Sequence, residues 1–320
     1  MVRGNTISYG TGVLPDRDYP ADPYPGAVPG CSFVHLDGRS HPLRPDRTAP
    51  AGWWVGQVQA EADLDDWLAD RGAEPMAARI PLLTYGSNRC PSKITWLRQN
   101  LGLPGPVVVV RGVAHDVAAV WAAGLRQRDG QRPAVLAAAP GVREAHAVWF
   151  ATADQVEVLD RCEGRDDRYR LARPPITVRT EDGALIEGPW CYLGLGAIRQ
   201  PLLVGSSPDA SGPSPVRCAD LPQREARHLQ GRPATGDGLD AETVHGPPNP
   251  DEWPAVLLDP DTGDLAYLDE PGKHLPVLDE DRGPGHRRLR RTLDDGTVAW
   301  TYRGIDDRPP GRRGRTPTAG

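Results

Sequence analysis

Residues 82–90 read LLTYGSNRC, an apolar run followed by the loop residues Tyr85, Gly86, Ser87 and Asn88. Residues 79–86 have the apolar composition of a buried strand, and Pro91 begins a segment with helical spacing. A strand that breaks at a glycine just before a helix leaves backbone amides free, and such amides suit a carboxylate or a phosphate. A simple capped helix has the same pattern, so the stretch predicts a strand, a turn and a helix but no particular ligand.

A second informative segment, TADQVEVLDRCEG at residues 152–164, predicts a helix. Thr152 and the glutamine three residues later form a capping box at its start. Val156, Leu159 and Glu163 recur at helical spacing, so the Glu163 carboxyl is expected on the apolar face of the helix. A carboxyl group in that position is costly to bury unless it is paired or protonated.

The pattern alone leaves two roles open for Glu163. Burial would raise the pKa of its carboxyl toward neutrality, which suits a general acid and base near neutral pH. Alternatively, Glu163 is a structural partner of a neighbouring arginine, which can be Arg161, Arg165 or Arg168. Cys162 lies about 100° around the helix from Glu163, so its thiol is expected to face another direction.

The segment between the two motifs is predicted to form the buried centre. Residues 106–123 are apolar throughout and predict a strand, and residues 134–151 predict two strands around a Pro-Gly turn. Residues 174–195, which follow the helix, predict a hairpin that turns at an Asp-Gly pair.

The two motifs in this order resemble the γ-glutamylcyclotransferase superfamily, whose pattern is a YGSN loop followed by a helix that reads LD..EG and a nearby tyrosine. In this chain the second set consists of Leu159, Asp160, Glu163, Gly164 and Tyr169. The resemblance covers about residues 79–200. It implies an α+β fold built as a small mixed β-barrel with flanking helices. Long N- and C-terminal extensions with β-hairpins are additions to that domain.

The resemblance also implies a reaction. In that superfamily the YGSN backbone binds the α-carboxylate of a γ-glutamyl group, and the substrate's own α-amine attacks the γ-carbonyl. Glu163 would act as the general acid and base, releasing 5-oxoproline and a free amine, so no cofactor and no metal is expected. The implied partner is a small γ-glutamyl amine or peptide. The implied substrate-binding residues are Tyr85, Gly86, Ser87, Asn88, Tyr169 and Tyr192.

The chain departs from the superfamily pattern at Arg89, where an apolar residue is usual. A cation at this position would change how the following helix packs or add positive charge near the pocket. The extensions leave the substrate open, since they can cover the barrel mouth or bind a larger γ-glutamyl carrier.

The predicted organisation has five parts. They are an irregular N-terminal extension with one hairpin and one helix (1–78), the barrel domain (79–202), a Pro/Gly/Ser-rich linker region (203–250), a β-hairpin segment (251–305) and a disordered tail (306–320). Within the extensions, Asp-Gly or similar turns predict hairpins at 32–43, 254–269 and 291–304. A helix is predicted within 57–72.

Composition favours a cytoplasmic globular protein. The net charge is −6 and the pI near 5.8, so no global field points to a nucleic acid or membrane partner. The basic runs at 286–291 and 308–315 are interpreted as solvated surface. Five scattered cysteines without metal spacing are expected to be free thiols, and no export signal or membrane anchor is predicted. The pattern does not predict an oligomeric state.

Other functions fit the pattern less well. Ser87 lies in GSN instead of a GxSxG elbow, and no signature joins Cys90 or Cys162 to a histidine, which disfavours serine and cysteine hydrolases. Residues 259–270 imitate a calcium loop, but their apolar flanks favour a plain turn. Two alternatives stay open. One is a non-catalytic barrel that serves as a ligand-binding or interaction module, and the other is removal of a γ-glutamyl protecting group from a biosynthetic intermediate.

Overall fold

A computed structural model of the protein describes residues 12–46, 49, 51–56, 61–205 and 212–247. It also describes the strand backbones at 255–258, 286–292 and 298–303. The fold of these residues is α+β: a curled, half-barrel sheet with a few short helices packed against it. This agrees with the predicted class. None of the described helices has the length and apolar composition needed to cross a membrane.

The described strands, numbered in chain order, are β1 (Leu14–Pro15), β2 (Phe33–Leu36), β3 (Arg39–Pro45), β4 (Trp53–Val55), β5 (Ala62–Asp63), β6 (Ile80–Thr84), β7 (Val107–Trp121), β8 (Ala134–Ala151), β9 (Tyr169–Arg173), β10 (Thr177–Thr180), β11 (Ala184–Glu187), β12 (Cys191–Gly194), β13 (Leu202–Val204), β14 (Ser214–Pro215), β15 (Arg232–Pro233), β16 (Glu242–Thr243), β17 (Ala255–Leu258), β18 (His286–Thr292) and β19 (Val298–Arg303). The described α-helices are α1 (Leu64–Ala69), α2 (Pro91–Leu101), α3 (Ala153–Glu163) and α4 (Gln223–Ala226).

The long antiparallel pair β7 and β8 forms the centre of the main sheet, with Val108 opposite Phe150 and Trp121 opposite Ala134. β6 pairs with the edge of β8 that faces away from β7. β2 and β10 both pair with the edge of β7 that faces away from β8. Because β7 has two neighbours, β2 and β10, along the same edge, the sheet branches and curls. β9 and β12 form a smaller antiparallel sheet with β16.

The prediction of two strands around a Pro-Gly turn in residues 134–151 is wrong. β8 is a single strand, and both of its halves pair with β7. Opposite the Pro-Gly pair, Asp116 has a φ of 60°, and its Oδ1 accepts a hydrogen bond from the Gly141 amide at 2.8 Å. The pair therefore makes an irregularity within one strand, because pairing along β7 outweighs the local turn signal.

Apolar side chains pack on both faces of β7. Val108 and Val110 belong to one apolar layer, whereas Val107 and Val109 belong to the other. Alternate residues of a strand face opposite sides of a sheet, so a strand that is apolar throughout has to be covered on both faces. Burial of each such side chain contributes roughly 1.5–3 kcal/mol, which makes this sheet a rigid support for the residues at its edges.

The two helices beside the motifs begin where the sequence predicts. α2 has Pro91 in its first turn and ends at Gly102, which has a left-handed φ of 70°. Thr152 and Gln155 form the predicted capping box at the start of α3, and Gly164 ends that helix with a φ of 66°.

The predicted N-terminal hairpin is confirmed as β2 and β3, which are joined by a turn with positive φ at Asp37 and Gly38. β2 pairs directly with β7, with Phe33 opposite Val109. Strands from both sides of residue 78 therefore share one sheet. The helix predicted within 57–72 is shorter than expected, because α1 begins only after Asp63, whose side chain accepts a hydrogen bond from the Asp65 amide.

The C-terminal strands extend the same sheet. β17 pairs with β11 on one side and with β18 on the other, and β18 pairs with β19 in the predicted hairpin at 291–304. The turn predicted within 254–269 and the predicted tail at 306–320 lie outside the described residues, apart from the β17 backbone. The linker region 203–250 contains α4 and the short strands β14, β15 and β16.

Candidate functional site

A cavity of about 900 Å³ lies where the end of β6, the end of α3 and the strands β9 and β12 meet. Its volume falls within the range of small-molecule sites. All of the residues predicted to bind substrate or to catalyse line this cavity: Tyr85, Gly86, Ser87, Asn88, Glu163, Tyr169 and Tyr192. The fold thus brings together residues that are far apart in the chain.

The YGSN loop follows β6 and continues into a 3-10 turn over Ser87–Arg89. The Cys90 amide closes this turn on the Ser87 carbonyl at 2.9 Å. Gly86 and Ser87 both line the cavity, and within the described chain their amides donate to no carbonyl. Adjacent free amides of this kind are suited to an anion.

A hydrogen bond joins the two motifs. Asn88 Nδ2 donates to Glu163 Oε1 at 2.8 Å, although the two residues are 75 positions apart. Asn88 is buried, and Glu163 is half-buried in the last turn of α3, with Val156 and Leu159 fully buried on the same side of the helix. The loop therefore fixes the orientation of the carboxylate in the cavity.

Each arginine that lies near Glu163 in the sequence contacts a group other than the Glu163 carboxylate. Arg161 donates to the Leu101 carbonyl at 3.1 Å, and Arg165 forms an ion pair with Asp160 at 3.0 Å. Arg168 donates to the main-chain carbonyls of Cys162 and Glu163 at the end of α3. Among the described ion pairs, none involves Glu163, so its carboxylate faces the cavity with Asn88 as its partner. The sequence left open that Glu163 is the structural partner of a neighbouring arginine, and the observed contacts differ from that role.

The three tyrosines of the site differ in whether their hydroxyl groups are already hydrogen-bonded within the protein. Tyr85 Oη donates to the Tyr192 carbonyl, and Tyr192 Oη donates to Asp160 Oδ1 at 2.7 Å. The Tyr169 hydroxyl has no hydrogen-bond partner within the described residues and is available to a ligand. Burial is the main cause that raises the pKa of all three phenols, and the Glu163 charge adds to it, so they are neutral donors near pH 7.

Strand register explains why Tyr169 and Tyr192 share the cavity. In the antiparallel pair of β9 and β12, Tyr169 lies opposite Gly194, and Leu171 lies opposite Tyr192. Residues two apart on a strand face the same side, so both rings lie on one face of this small sheet. Asp160 anchors Tyr192 from α3, which connects the LD..EG helix to this sheet.

Tyr24 lines the cavity, and no sequence pattern singled it out. It is buried, although it lies between two prolines far upstream in the chain, and its Oη accepts a hydrogen bond from the Ala134 amide at 3.0 Å. A Cβ atom on Gly86 would lie 2.8 Å from Tyr24 Oη. The loop can approach Tyr24 only because residue 86 is a glycine.

Lys93 and Cys162 also line the cavity. Cys162 shares the cavity with Glu163, but the two side chains contact different residues at the end of α3. Lys93 Nζ lies 3.4 Å from Cys162 Sγ and 3.8 Å from the Trp96 ring centroid. Burial raises the pKa of the Cys162 thiol, and the Glu163 charge adds to this effect, which keeps the thiol protonated.

Arg89, where the chain departs from the superfamily pattern, is not among the described residues that line the cavity. Its Nη1 approaches the Ala145 carbonyl of β8 at 3.4 Å, and burial lowers the pKa of its guanidinium. Arg89 therefore packs against the central sheet.

Positive charge dominates the cavity wall. The lining cations are Lys93, Arg126, Arg128, Arg168 and Arg199, and the lining acids are Glu163 and Asp167. This charge balance favours an anionic ligand. Among the described residues, no group of three or more His, Cys, Asp or Glu side chains is arranged to hold a metal ion.

Comparisons with known proteins give weak likenesses. No family model matches the chain, and no curated protein matches it. One similar solved structure, an uncharacterized protein from Homo sapiens, is 16% identical with a TM-score of 0.32, covering 51% of this chain and 95% of its own. Another is described as a gamma-glutamyl cyclotransferase, 17% identical with a TM-score of 0.31, covering 50% of this chain and 94% of its own. Likenesses of this strength do not establish a shared function.

Proposed function

We propose that the protein is a γ-glutamylcyclotransferase-like enzyme that cleaves a γ-glutamyl amide and releases 5-oxoproline and a free amine. The observation that supports this most is the 2.8 Å hydrogen bond between Asn88 and Glu163. It holds a carboxylate beside free backbone amides at the wall of one cavity, where a general base and an anion site are both required. In this proposal the half-barrel sheet is the superfamily's small mixed barrel.

The proposed binding step uses the YGSN loop. The amides of Gly86 and Ser87 donate to the substrate α-carboxylate, which places the α-amine within reach of Glu163. Tyr169, with its free neutral hydroxyl, donates to the substrate and orients the γ-glutamyl group. Tyr85 and Tyr192 support this arrangement through their hydrogen bonds to the protein.

The proposed chemical step transfers a proton twice through Glu163. The substrate α-amine attacks the γ-carbonyl carbon, and the Glu163 carboxylate takes the proton that this nitrogen loses. The protonated Glu163 then returns a proton to the leaving nitrogen as the original amide bond breaks. The two transfers balance, so Glu163 ends as the carboxylate. The nucleophile belongs to the substrate, so the protein contributes orientation and proton transfer.

The proposed location is the cytoplasm. All five cysteines, at positions 31, 90, 162, 191 and 218, are free in the structure, as expected for a reducing compartment. The proposed partners are small γ-glutamyl amines or peptides, with no nucleic acid and no membrane.

A substrate panel with matched variants tests the proposal. The purified protein is incubated with γ-glutamyl amines and γ-glutamyl dipeptides, and 5-oxoproline is quantified by chromatography. Glu163→Gln keeps the shape of the side chain but removes the base, so kcat is expected to fall on the order of 10²- to 10⁴-fold. Glu157→Gln, an exposed position on the same helix, is the control and is expected to retain full activity.

Two results would contradict the enzyme. One is the absence of 5-oxoproline with every substrate, and the other is equal activity of Glu163→Gln and the unmodified protein. Ligand binding without turnover would instead support the alternative of a non-catalytic binding module.

A further inference from the structure

A lysine and a cysteine lie side by side in the wall of the cavity. Lys93, in the first turn of α2, is only 7% exposed, and Cys162 is half-buried in the last turn of α3. Lys93 Nζ donates a hydrogen bond to Cys162 Sγ at 3.4 Å, although the two residues are 69 positions apart. Both side chains line the cavity, so a small molecule that enters the cavity reaches this pair.

A lysine is a rare cation in this chain. Of the 37 Lys and Arg residues, only Lys93 and Lys273 are lysines, and Lys273 lies outside the described residues. Every other described cation of the cavity wall is an arginine. A guanidinium stays protonated in proteins, whereas an amine that has released a proton is a nucleophile. A lysine at position 93 therefore gives the wall a reactivity that its arginines lack.

The Lys93 ammonium has no carboxylate partner within the described chain. Its contacts are the Cys162 sulfur and the Trp96 ring, whose centroid lies 3.8 Å from Nζ. Neither a thiol nor an aromatic ring forms an ion pair with an amine, so Lys93 gives up no ion pair when its nitrogen reacts with the sulfur.

The reactivity of the Cys162 thiol is expected to depend on pH. Burial raises the pKa of this thiol, and the Glu163 charge adds to the effect, whereas the charge and the hydrogen bond of Lys93 favour the thiolate. The thiolate is the form that attacks an oxidant. Oxidation of Cys162 is therefore expected to be slow near pH 7 and to become faster as the pH rises.

We propose that Lys93 and Cys162 form a reversible covalent link when hydrogen peroxide enters the cavity. The thiolate attacks one peroxide oxygen, the O–O bond breaks, and Cys162 becomes a sulfenic acid while the other oxygen leaves as water. The Lys93 nitrogen then attacks the sulfur, the S–O bond breaks, and a sulfenamide bond joins Sγ to Nζ. Of the two protons that the ammonium gives up, one leaves in a second water molecule and the other goes to solvent.

Thiols reverse the link. A first thiol attacks the sulfur and releases the Lys93 amine, and a second thiol releases Cys162 with formation of one disulfide between the two thiols. The link itself joins the helix that follows the YGSN loop to the helix that carries Glu163. It closes a chain segment of 69 residues, and such a closure restricts the unfolded state, so the oxidised protein is expected to be more stable in urea.

Peptide mapping after oxidation tests the proposal. The reduced protein is treated with hydrogen peroxide at about pH 8.5, where more of the thiol is ionised, and is digested with trypsin without reductant. Mass spectrometry is expected to find the Lys93 and Cys162 peptides joined with the loss of two hydrogen atoms, and the chain uncleaved after Lys93. Dithiothreitol is expected to separate the two peptides. The urea midpoint is expected to rise on oxidation and to return with dithiothreitol.

Matched variants distinguish this link from a disulfide between Cys162 and Cys90, which lies near Lys93 in the sequence and would give the same mass. Lys93→Arg keeps the charge but is expected to lose the link and to leave a sulfenic acid at Cys162 that dimedone labels. Lys93→Met removes the amine without adding volume and is expected to behave in the same way. Cys162→Ser is expected to lose the link, and Cys90→Ser is expected to keep it.

Two results would overturn the proposal. One is a joined pair of the same mass in Lys93→Arg and Lys93→Met, because the bond would then be a disulfide. The other is an unmodified protein in which peroxide leaves Cys162 reduced, or converts it to a sulfinic acid, with no link to Lys93. These measurements do not use the formation of 5-oxoproline, so the proposal stands or falls independently of the proposed function.

Discussion

At the scale of single residues, the site depends on the contact between Asn88 and Glu163. A carboxylate at the end of a helix has several accessible rotamers, and one hydrogen bond from a buried amide selects among them. Orientation of a catalytic group to within a fraction of an ångström has a large effect on rate. Asn88 is therefore a positioning residue in the proposed reaction.

Asn88 substitutions are expected to separate orientation from charge. Asn88→Ala frees the carboxylate and is expected to lower kcat about 10-fold or more at every pH. Asn88→Asp places a second carboxylate at hydrogen-bond distance, and two adjacent carboxylates resist simultaneous ionisation. The acid limb of the kcat/KM profile is then expected to move to higher pH. Rates measured between pH 5 and 9 check this, and identical profile shapes for both variants would contradict it.

At the scale of elements, the YGSN loop is held in place by a segment far from it in the chain. The segment before β2 places Tyr24 against the loop, and a Cβ atom at residue 86 would meet the Tyr24 hydroxyl at 2.8 Å. The shape of a candidate anion site is thus set jointly by β6 and by a proline-flanked tyrosine in a region predicted to be an irregular extension.

Gly86→Ala is expected to displace the loop. The added methyl would meet Tyr24 Oη at 2.8 Å, so we expect a loss of about 1–3 kcal/mol in the free energy of unfolding and a higher KM for γ-glutamyl substrates. Gly30→Ala, where no atom lies within 4 Å of the new Cβ, is the control.

A double variant isolates the cause. Tyr24→Phe removes the clashing oxygen, and the next ring atom, Cζ, lies 3.8 Å from the Cβ position of residue 86. Tyr24→Phe alone loses the hydrogen bond from the Ala134 amide, so the reference is this single variant. Adding Gly86→Ala to Tyr24→Phe is expected to cost much less stability in urea unfolding than Gly86→Ala does in the unmodified protein. Purely additive losses would show that the contact is not the cause.

At the scale of the whole molecule, several histidines are buried as neutral side chains, and protonation at acid pH opposes their burial. Burial lowers the pKa of His146 to about 3, with the nearby Arg89 charge adding to the effect. Burial also lowers the pKa of His35, His41 and His115. In the unfolded chain these side chains titrate near pH 6.5, so the unfolded state binds more protons at mildly acid pH.

Stability is therefore expected to fall as the pH decreases from about 6.5 toward 3. The contribution of His146 is complete above its unfolded pKa and is lost progressively down to its folded pKa of about 3, at a rate near 1.4 kcal/mol per pH unit. His146→Gln is expected to flatten this dependence in urea unfolding at pH 7, 5.5 and 4.5. The exposed His228→Gln is the control, and an unchanged slope in His146→Gln would refute the assignment.

Sequence reasoning predicted well those features that depend on a few neighbouring residues. The start of α2 at Pro91, the capping box of α3 and the Asp-Gly hairpin of β2 and β3 are such features. Their hydrogen bonds close within one or two turns of chain, so residue type at fixed spacing determines them. The Pro-Gly pair in β8 is the exception, because pairing with a distant strand outweighed it.

The sequence by itself thus determined the local elements and two motifs that each contribute residues to one cavity. Only the tertiary structure decided that Asn88 meets Glu163, that Tyr24 shapes the loop, and that Lys93 lies beside Cys162. These contacts join segments that are distant along the chain, and no short-range spacing encodes them. They form because β7 and β8 organise a sheet whose edges and connecting turns converge on the same cavity.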